Sequence, residues 1–108
     1  MIRKPVDFLI PGLPQEASER IVEVCSKPAG VEKIILYGSR AKGNYRSNSD
    51  VDLTLAGEEL TFSELLRLEG ELDDLLLPWK IDLSLFHLIE NGALADHIQR
   101  AGKILWER

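Results

Sequence analysis

Residues 31–56 read VEKIILYGSRAKGNYRSNSDVDLTLA, and this stretch decides the fold. Val31 to Tyr37 is rich in β-branched residues and stops at Gly38, which predicts a strand. Val51 to Ala56 has the same character, stops at Gly57, and predicts a second strand. Between them Gly38 to Ser49 is a polar, turn-rich loop, long for a hairpin connection, and long structured loops in small domains are often functional.

Outward from this pair, helical spacing takes over. Before it, Ala17, Ile21, Val24 and Cys25 recur on one helical face, behind the breakers Pro11, Gly12 and Pro14 and ahead of Pro28 to Gly30. Residues 1–13 are expected to be an irregular lead-in. After it, Leu65, Leu68, Leu72, Leu75 and Leu76 mark an amphipathic helix with Glu64, Glu69, Glu71, Asp73 and Asp74 on its other face and Pro78 beyond it. Ile81 to Phe86 alternates again as a third strand. Residues 91–101 repeat Leu94 and Ile98 at helical spacing, Gly102 is the expected C-cap, and Lys103 to Trp106 supplies a fourth short strand. The order α-β-β-α-β-α, with that extra strand, predicts a two-layer α/β (α+β) domain with a mixed sheet of three or four strands.

The whole chain bounds the chemistry. It has 108 residues, 44% of them apolar and 29% charged, which fits one domain spanning 1–108. The net charge is −5, which disfavours a grip on duplex DNA. No apolar run approaches the roughly 20 residues of a membrane span. The start, MIRKPVDFLIPGLP, lacks a sustained apolar core and a small-residue cleavage site, so it reads as neither signal nor anchor, and a cytoplasmic protein is expected. Cys25 is the single cysteine and falls on the apolar helix stripe, so core packing is expected of it. His87 and His97 have no partners at metal-ligand spacing. Packing is expected of Trp79 and Trp106.

Two clusters carry chemistry. In Tyr37-Gly38-Ser39-Arg40-Ala41-Lys42-Gly43 a strand runs into a glycine, a hydroxyl, and bases, a turn whose N–H groups suit a phosphate. Alone, a Gly-Ser turn is usually just a turn. In Ser49-Asp50-Val51-Asp52-Leu53, strand alternation puts Asp50 and Asp52 on one face. Two such carboxylates repel unless a cation sits between them, and their oxygens suit Mg²⁺. A lone D-x-D is more often a solvated strand face. Asp82 sits early in the third strand and joins Asp50 and Asp52 if that strand lies beside the second. Between Glu32 and Asp50 there is no acid, only Lys33, Arg40, Lys42 and Arg46. A Mg²⁺-chelated polyphosphate needs both a basic loop and an acidic pair. Tyr37 is expected in the core. Tyr45 is either a base-stacking ring or a spectator.

Together GSRAKG, SDVDL and the later IDL resemble the nucleotidyltransferases of the DNA polymerase β superfamily. The G-S-x10-D-x-D signature runs from Gly38-Ser39 to Asp50-x-Asp52, and the size resembles the minimal nucleotidyltransferases (MNT). The strong match covers residues 31–55, and Asp82 with Ile98 to Trp106 extends it. The resemblance implies a nucleotidyltransferase fold in which helices flank the sheet. It implies that Gly38 and Ser39 hold the β- and γ-phosphates of a nucleoside triphosphate. Asp50 and Asp52 would bind two Mg²⁺ ions. Asp82 would share the metal nearer the acceptor and activate its hydroxyl. Arg40 or Lys42 would neutralise the triphosphate. With the chain nearly filled by the catalytic core, the acceptor is expected on another protein. MNT proteins resemble antitoxins whose helical HEPN partners are toxins, so the implied reaction moves AMP from ATP to a tyrosine of such a partner. Alternatives are a nucleotide-binding antitoxin acting by occlusion, or the catalytic subunit of a two-component small-molecule nucleotidyltransferase. Homo- and hetero-oligomers both fit. The acidic residues 58–74 meet a basic partner or are a solvated face.

Overall fold

A computed structural model describes residues 9–108, so residues 1–8 of the expected irregular lead-in lie outside the described residues. Helix α1 (Gln15–Cys25) starts immediately after Pro14, which has no N–H to leave unpaired there. The Pro14 carbonyl accepts from Ala17 N at 3.0 Å and Ser18 N at 3.2 Å. Ser18 faces inward, and its Oγ accepts the Ile10 N–H at 3.0 Å, fastening the lead-in to the helix.

Strand β1 (Lys33–Tyr37) buries alternate residues, so Ile34 and Leu36 enter the core while Lys33, Ile35 and Tyr37 face the other way. The expected loop after it holds one turn of helix, α2 (Ser39–Lys42). Glycines make that turn possible: Gly38 has φ +78° and Gly43, which caps it, φ +91°. Strand β2 (Val51–Ala56) pairs antiparallel with β1.

Helix α3 (Phe62–Asp73) begins with a capping box: Thr61 Oγ1 accepts from Glu64 N at 3.2 Å while Glu64 Oε1 accepts from Thr61 N at 3.0 Å. It buries Leu68 and Leu72. The helix stops earlier than the leucine spacing predicts. Leu76 leaves the apolar face with φ +55° and is 88% exposed, because the chain turns there to enter the next strand.

Strand β3 (Ile81–Leu85) lies parallel to β2, a geometry that requires the α3 crossover between them. A single 3₁₀ turn, Phe86–Leu88, leads to α4 (Gly92–Ala101), whose cap is Asn91 Oδ1 accepting from Leu94 N at 3.1 Å. Strand β4 (Lys103–Glu107) completes a mixed sheet of order β3-β2-β1-β4. Gly102 caps α4 in an extended conformation rather than a left-handed one. Its glycine is a matter of space: a Cβ there would lie 2.6 Å from Ile35 Cγ2 and 2.6 Å from the Ile98 carbonyl.

The main core lies on one face of the sheet, where Ile34, Leu36, Leu53, Leu55, Leu83 and Leu85 meet α1 and α3. Cys25 and Trp106 belong to it. A bulge in β4, between its pairings with Ile34 and Ile35, turns the successive residues Leu105 and Trp106 both inward. Helix α4 packs through Ile98 on the opposite face, beside Ile35, Ala56 and Phe86, and leaves the other end of that face open. Among the described residues no helix is long and apolar enough to cross a membrane.

Candidate active site

The open end of the second face carries the acids. In the sheet register Tyr37 of β1 stands opposite Asp52 of β2, and Asp52 opposite Asp82 of β3. One row across the strands therefore presents a phenol and two carboxylates on one side. Asp50 lies on the same side, two residues earlier, just outside the β2 ladder. That ladder opens with the Val51 N–H donating to the Lys80 carbonyl at 2.9 Å.

Electrostatics register the crowding. Burial pushes the Asp52 carboxyl above its ordinary pKa, and the neighbouring Asp82 and Asp50 push it further, against a smaller pull from Lys80. Burial likewise raises the Tyr37 phenol, and Asp52 and Asp82 add to it, while a hydrogen bond with Ser84 opposes. One row below, Ser84 Oγ donates to Thr54 Oγ1 at 2.9 Å, and Thr54 Oγ1 donates to the Ser84 carbonyl at 3.3 Å. These hydroxyls satisfy one another beneath the acid row. Tyr37 thus belongs to the site face, not to the core expected for it. The alternation of Ile34 and Leu36 was the signal for this, since it sends Tyr37 to the side away from them.

Gly38 links the two sequence clusters physically. A Cβ on it would occupy the space of the Asp52 carboxylate. The turn after β1 is glycine so that the carboxylate of the facing strand can press against its backbone. Ser39 follows, half-buried, as the first residue of α2, and Lys42 is exposed at its last.

The basic residues do not all gather here. Lys33 sits at the far end of β1, 3.8 Å from Glu107. Arg40 does not face the triphosphate as the resemblance implies, since its side chain is only 1% exposed and is turned inward. Its guanidinium donates to the carbonyls of Pro11 at 2.8 Å and Ser49 at 2.9 Å, and its carbon lies 5.0 Å from the Tyr45 ring centre. A group spent on carbonyls in the interior does not face a triphosphate. Tyr45 is accordingly a support for Arg40. Of the two bases the sequence left as alternatives, Lys42 is the one that reaches solvent. Most acids of residues 58–74 are exposed; Glu64 caps α3, and Glu71 pairs with Lys27 at 2.7 Å.

The donor set fits Mg²⁺ of a particular kind. Asp50, Asp52 and Asp82 offer hard oxygen ligands, and among the described residues none forms an ion pair with them. Among those residues, too, no three acid, histidine or cysteine side chains come together as a metal-holding group by themselves. Mg²⁺ commonly takes one or two carboxylates and completes its shell with water and substrate phosphates, which is what an open row of this sort suits.

A mixed four-stranded sheet with a Gly-Ser turn facing an acid row defines a domain of the nucleotidyltransferase fold. Residues 19–108 match the family described as polymerase beta, nucleotidyltransferase, and the chain belongs to that family. No curated protein matches it in sequence. Solved structures resemble it in fold. A chain of a toxin–antitoxin complex with AMP-PNP superposes with a TM-score of 0.68 at 22% identity, covering 89% of this chain and 75% of that one. A chain from the tri-AMPylated Shewanella oneidensis HEPN toxin in complex with MNT antitoxin gives 0.65 at 20%, covering 87% and 72%. The toxin–antitoxin complex MntA-HepT gives 0.65 at 21%, covering 88% and 74%.

Proposed function

We propose that this chain is a Mg²⁺-dependent nucleotidyltransferase that moves AMP from ATP to a hydroxyl of a partner protein. The observation that carries this reading is the register that sets Asp82 beside Asp52, with Gly38 pressed against the same carboxylate. Asp50, Asp52 and Asp82 would hold the Mg²⁺. Bound Mg²⁺ supplies charge neutralisation at the attacking and leaving oxygens of an in-line displacement. The Gly38-Ser39 turn receives the β- and γ-phosphates, and Lys42, exposed at the end of α2, adds a cation to them. Asp82 takes the proton of the attacking hydroxyl. The new bond joins that oxygen to the α-phosphorus, and pyrophosphate leaves.

The acid row lies open on the sheet, with Asp50 and Asp82 exposed, so an acceptor hydroxyl can approach it from solvent. Resemblance in fold to the complex of an AMPylated HEPN toxin with MNT antitoxin supports a HEPN toxin as the acceptor, and the sequence motif's family resemblance adds a tyrosine as the modified residue. In this role the chain is an antitoxin acting in the cytoplasm.

Label transfer tests the reading. The purified chain, α-labelled ATP and Mg²⁺ are added to a lysate of the native host. A labelled protein band is expected with the natural chain and not with Asp50→Asn/Asp52→Asn. Absence of label in both, with nucleotide still bound, refutes catalysis and leaves an antitoxin that works by occlusion.

A further inference from the structure

We infer that Arg40 is a positioning residue for Asp50, and that through it the segment before α1 governs how firmly the site holds metal. This inference rests on the proposed role of Asp50. Asp50 belongs to no regular element and is fixed from both sides. On one side the Val51 N–H is held by the Lys80 carbonyl at 2.9 Å. On the other, Arg40 clamps the Ser49 carbonyl with two donors, Nε at 3.2 Å and Nη2 at 2.9 Å. Nη2 also lies 3.4 Å from the Arg46 and Ser47 carbonyls, and Nη1 donates to Pro11 at 2.8 Å. The peptide next to Asp50, the turn before it and the lead-in segment thus converge on one buried guanidinium.

A buried cation is normally paired with an acid. Among the described residues Arg40 has no carboxylate partner; carbonyl dipoles and the Tyr45 ring satisfy it instead. That arrangement needs the rigid, many-donor fork of arginine, since a lysine ammonium cannot span Pro11 and Ser49 together. Arg40 is also the second residue of α2, two beyond Gly38, so the clamp joins the glycine turn to the Asp50 end of the site. Pro11 lies before residues 19–108, the stretch that the family match covers. Gly12 shows how tight the junction is: a Cβ there would stand 2.6 Å from Arg40 Nη1 and 2.6 Å from Tyr45 Cε2.

Two readouts on the purified chain test this: hydrogen exchange over residues 44–50 without metal, and Mn²⁺ binding in the presence of a non-hydrolysable ATP analogue. Arg40→Lys keeps the charge and loses the fork. It should speed exchange in the loop and weaken Mn²⁺ binding at least about tenfold, the usual effect of losing a group that orients a metal ligand. Metal-free nucleotide affinity should stay unchanged. Gly12→Ala should move both readouts the same way by less, and it carries the test if Arg40→Lys does not fold. Faster exchange with natural Mn²⁺ affinity overturns the inference, as does unchanged exchange in either variant. A drop in metal-free nucleotide affinity overturns it too, by making Arg40 a phosphate contact. A natural chain that takes no Mn²⁺ refutes the proposed function itself, and the positioning role with it.

Discussion

Asp52 is the residue on which the site's energetics converge. Burial and two neighbouring acids raise its pKa, so its ionised form opposes folding at neutral pH. The sign is fixed by the direction of the shift. A folded pKa above the unfolded one means the penalty is present at neutral pH and fades as pH falls through the folded value towards the ordinary carboxylate range. Below that range Asp52 is protonated in both states and the penalty is gone. Asp52→Asn should therefore melt at a higher temperature than the natural chain at pH 7 without metal, with the gap narrowing in acid, as calorimetry across pH will show. Under the proposed function the same variant should lose AMP transfer by about a thousandfold, the scale of removing an electrostatic centre from an active site. Gly38→Ala is the complementary test. Its methyl would enter the Asp52 carboxylate at a backbone φ of +78°, so transfer should fall to background even where circular dichroism shows the fold retained. Asp50, Asp52 and the Gly-Ser turn were legible in the sequence, because alternation and turn chemistry are local. The inward turn of Arg40 was not, because its partner Pro11 is 29 residues away.

Among the elements, α3 and α4 show two uses of glycine. Gly70 lies mid-helix in α3, exposed, and a Cβ there would meet nothing within 4 Å. It thus carries the entropic cost of glycine with no steric reason inside the chain. Gly70→Ala should stabilise the fold by about 0.5–1 kcal/mol in urea titration, leaving transfer unaltered. Gly102 is the reverse case: its backbone lies against Ile35 and the Ile98 carbonyl, so Gly102→Ala should destabilise by about 1–3 kcal/mol as β4 or α4 shifts. The helices themselves were readable from their spacing. The end of α3 was not, since the leucine periodicity runs past Asp73 while the chain must already turn towards β3. The one-turn helix α2 leaves no mark in the sequence, because four residues carry no periodicity.

For the molecule as a whole, Cys25 is a built-in probe of cooperativity. It is the single cysteine, fully buried in the core, and burial pushes its thiol up to about 12. Alkylation at pH 8 should be very slow in the native state and should track global unfolding in denaturant, which mass spectrometry of labelled protein can follow. Labelling as fast as a free thiol in native buffer would mean that α1 opens independently of the sheet. The core that protects it lies on the face opposite the acid row, so metal binding should slow labelling only by stabilising the whole fold.

What the sequence by itself determined is what depends on neighbours along the chain: the helix faces, the strands, the Gly-Ser turn, and the pairing of Asp50 with Asp52 on one side. Even the family signature is local, spanning residues 38–52. The tertiary structure decided what depends on segments far apart. The parallel register of β2 and β3 brings Asp82 to Asp52 across 30 residues, and the antiparallel register with β1 adds Tyr37 to the same row. The packing of the lead-in against the loop took Arg40 from a cation facing substrate to one buried among carbonyls. Strand alternation is set by the covalent geometry of each residue, whereas register and burial follow from contacts that exist only once the chain has closed on itself.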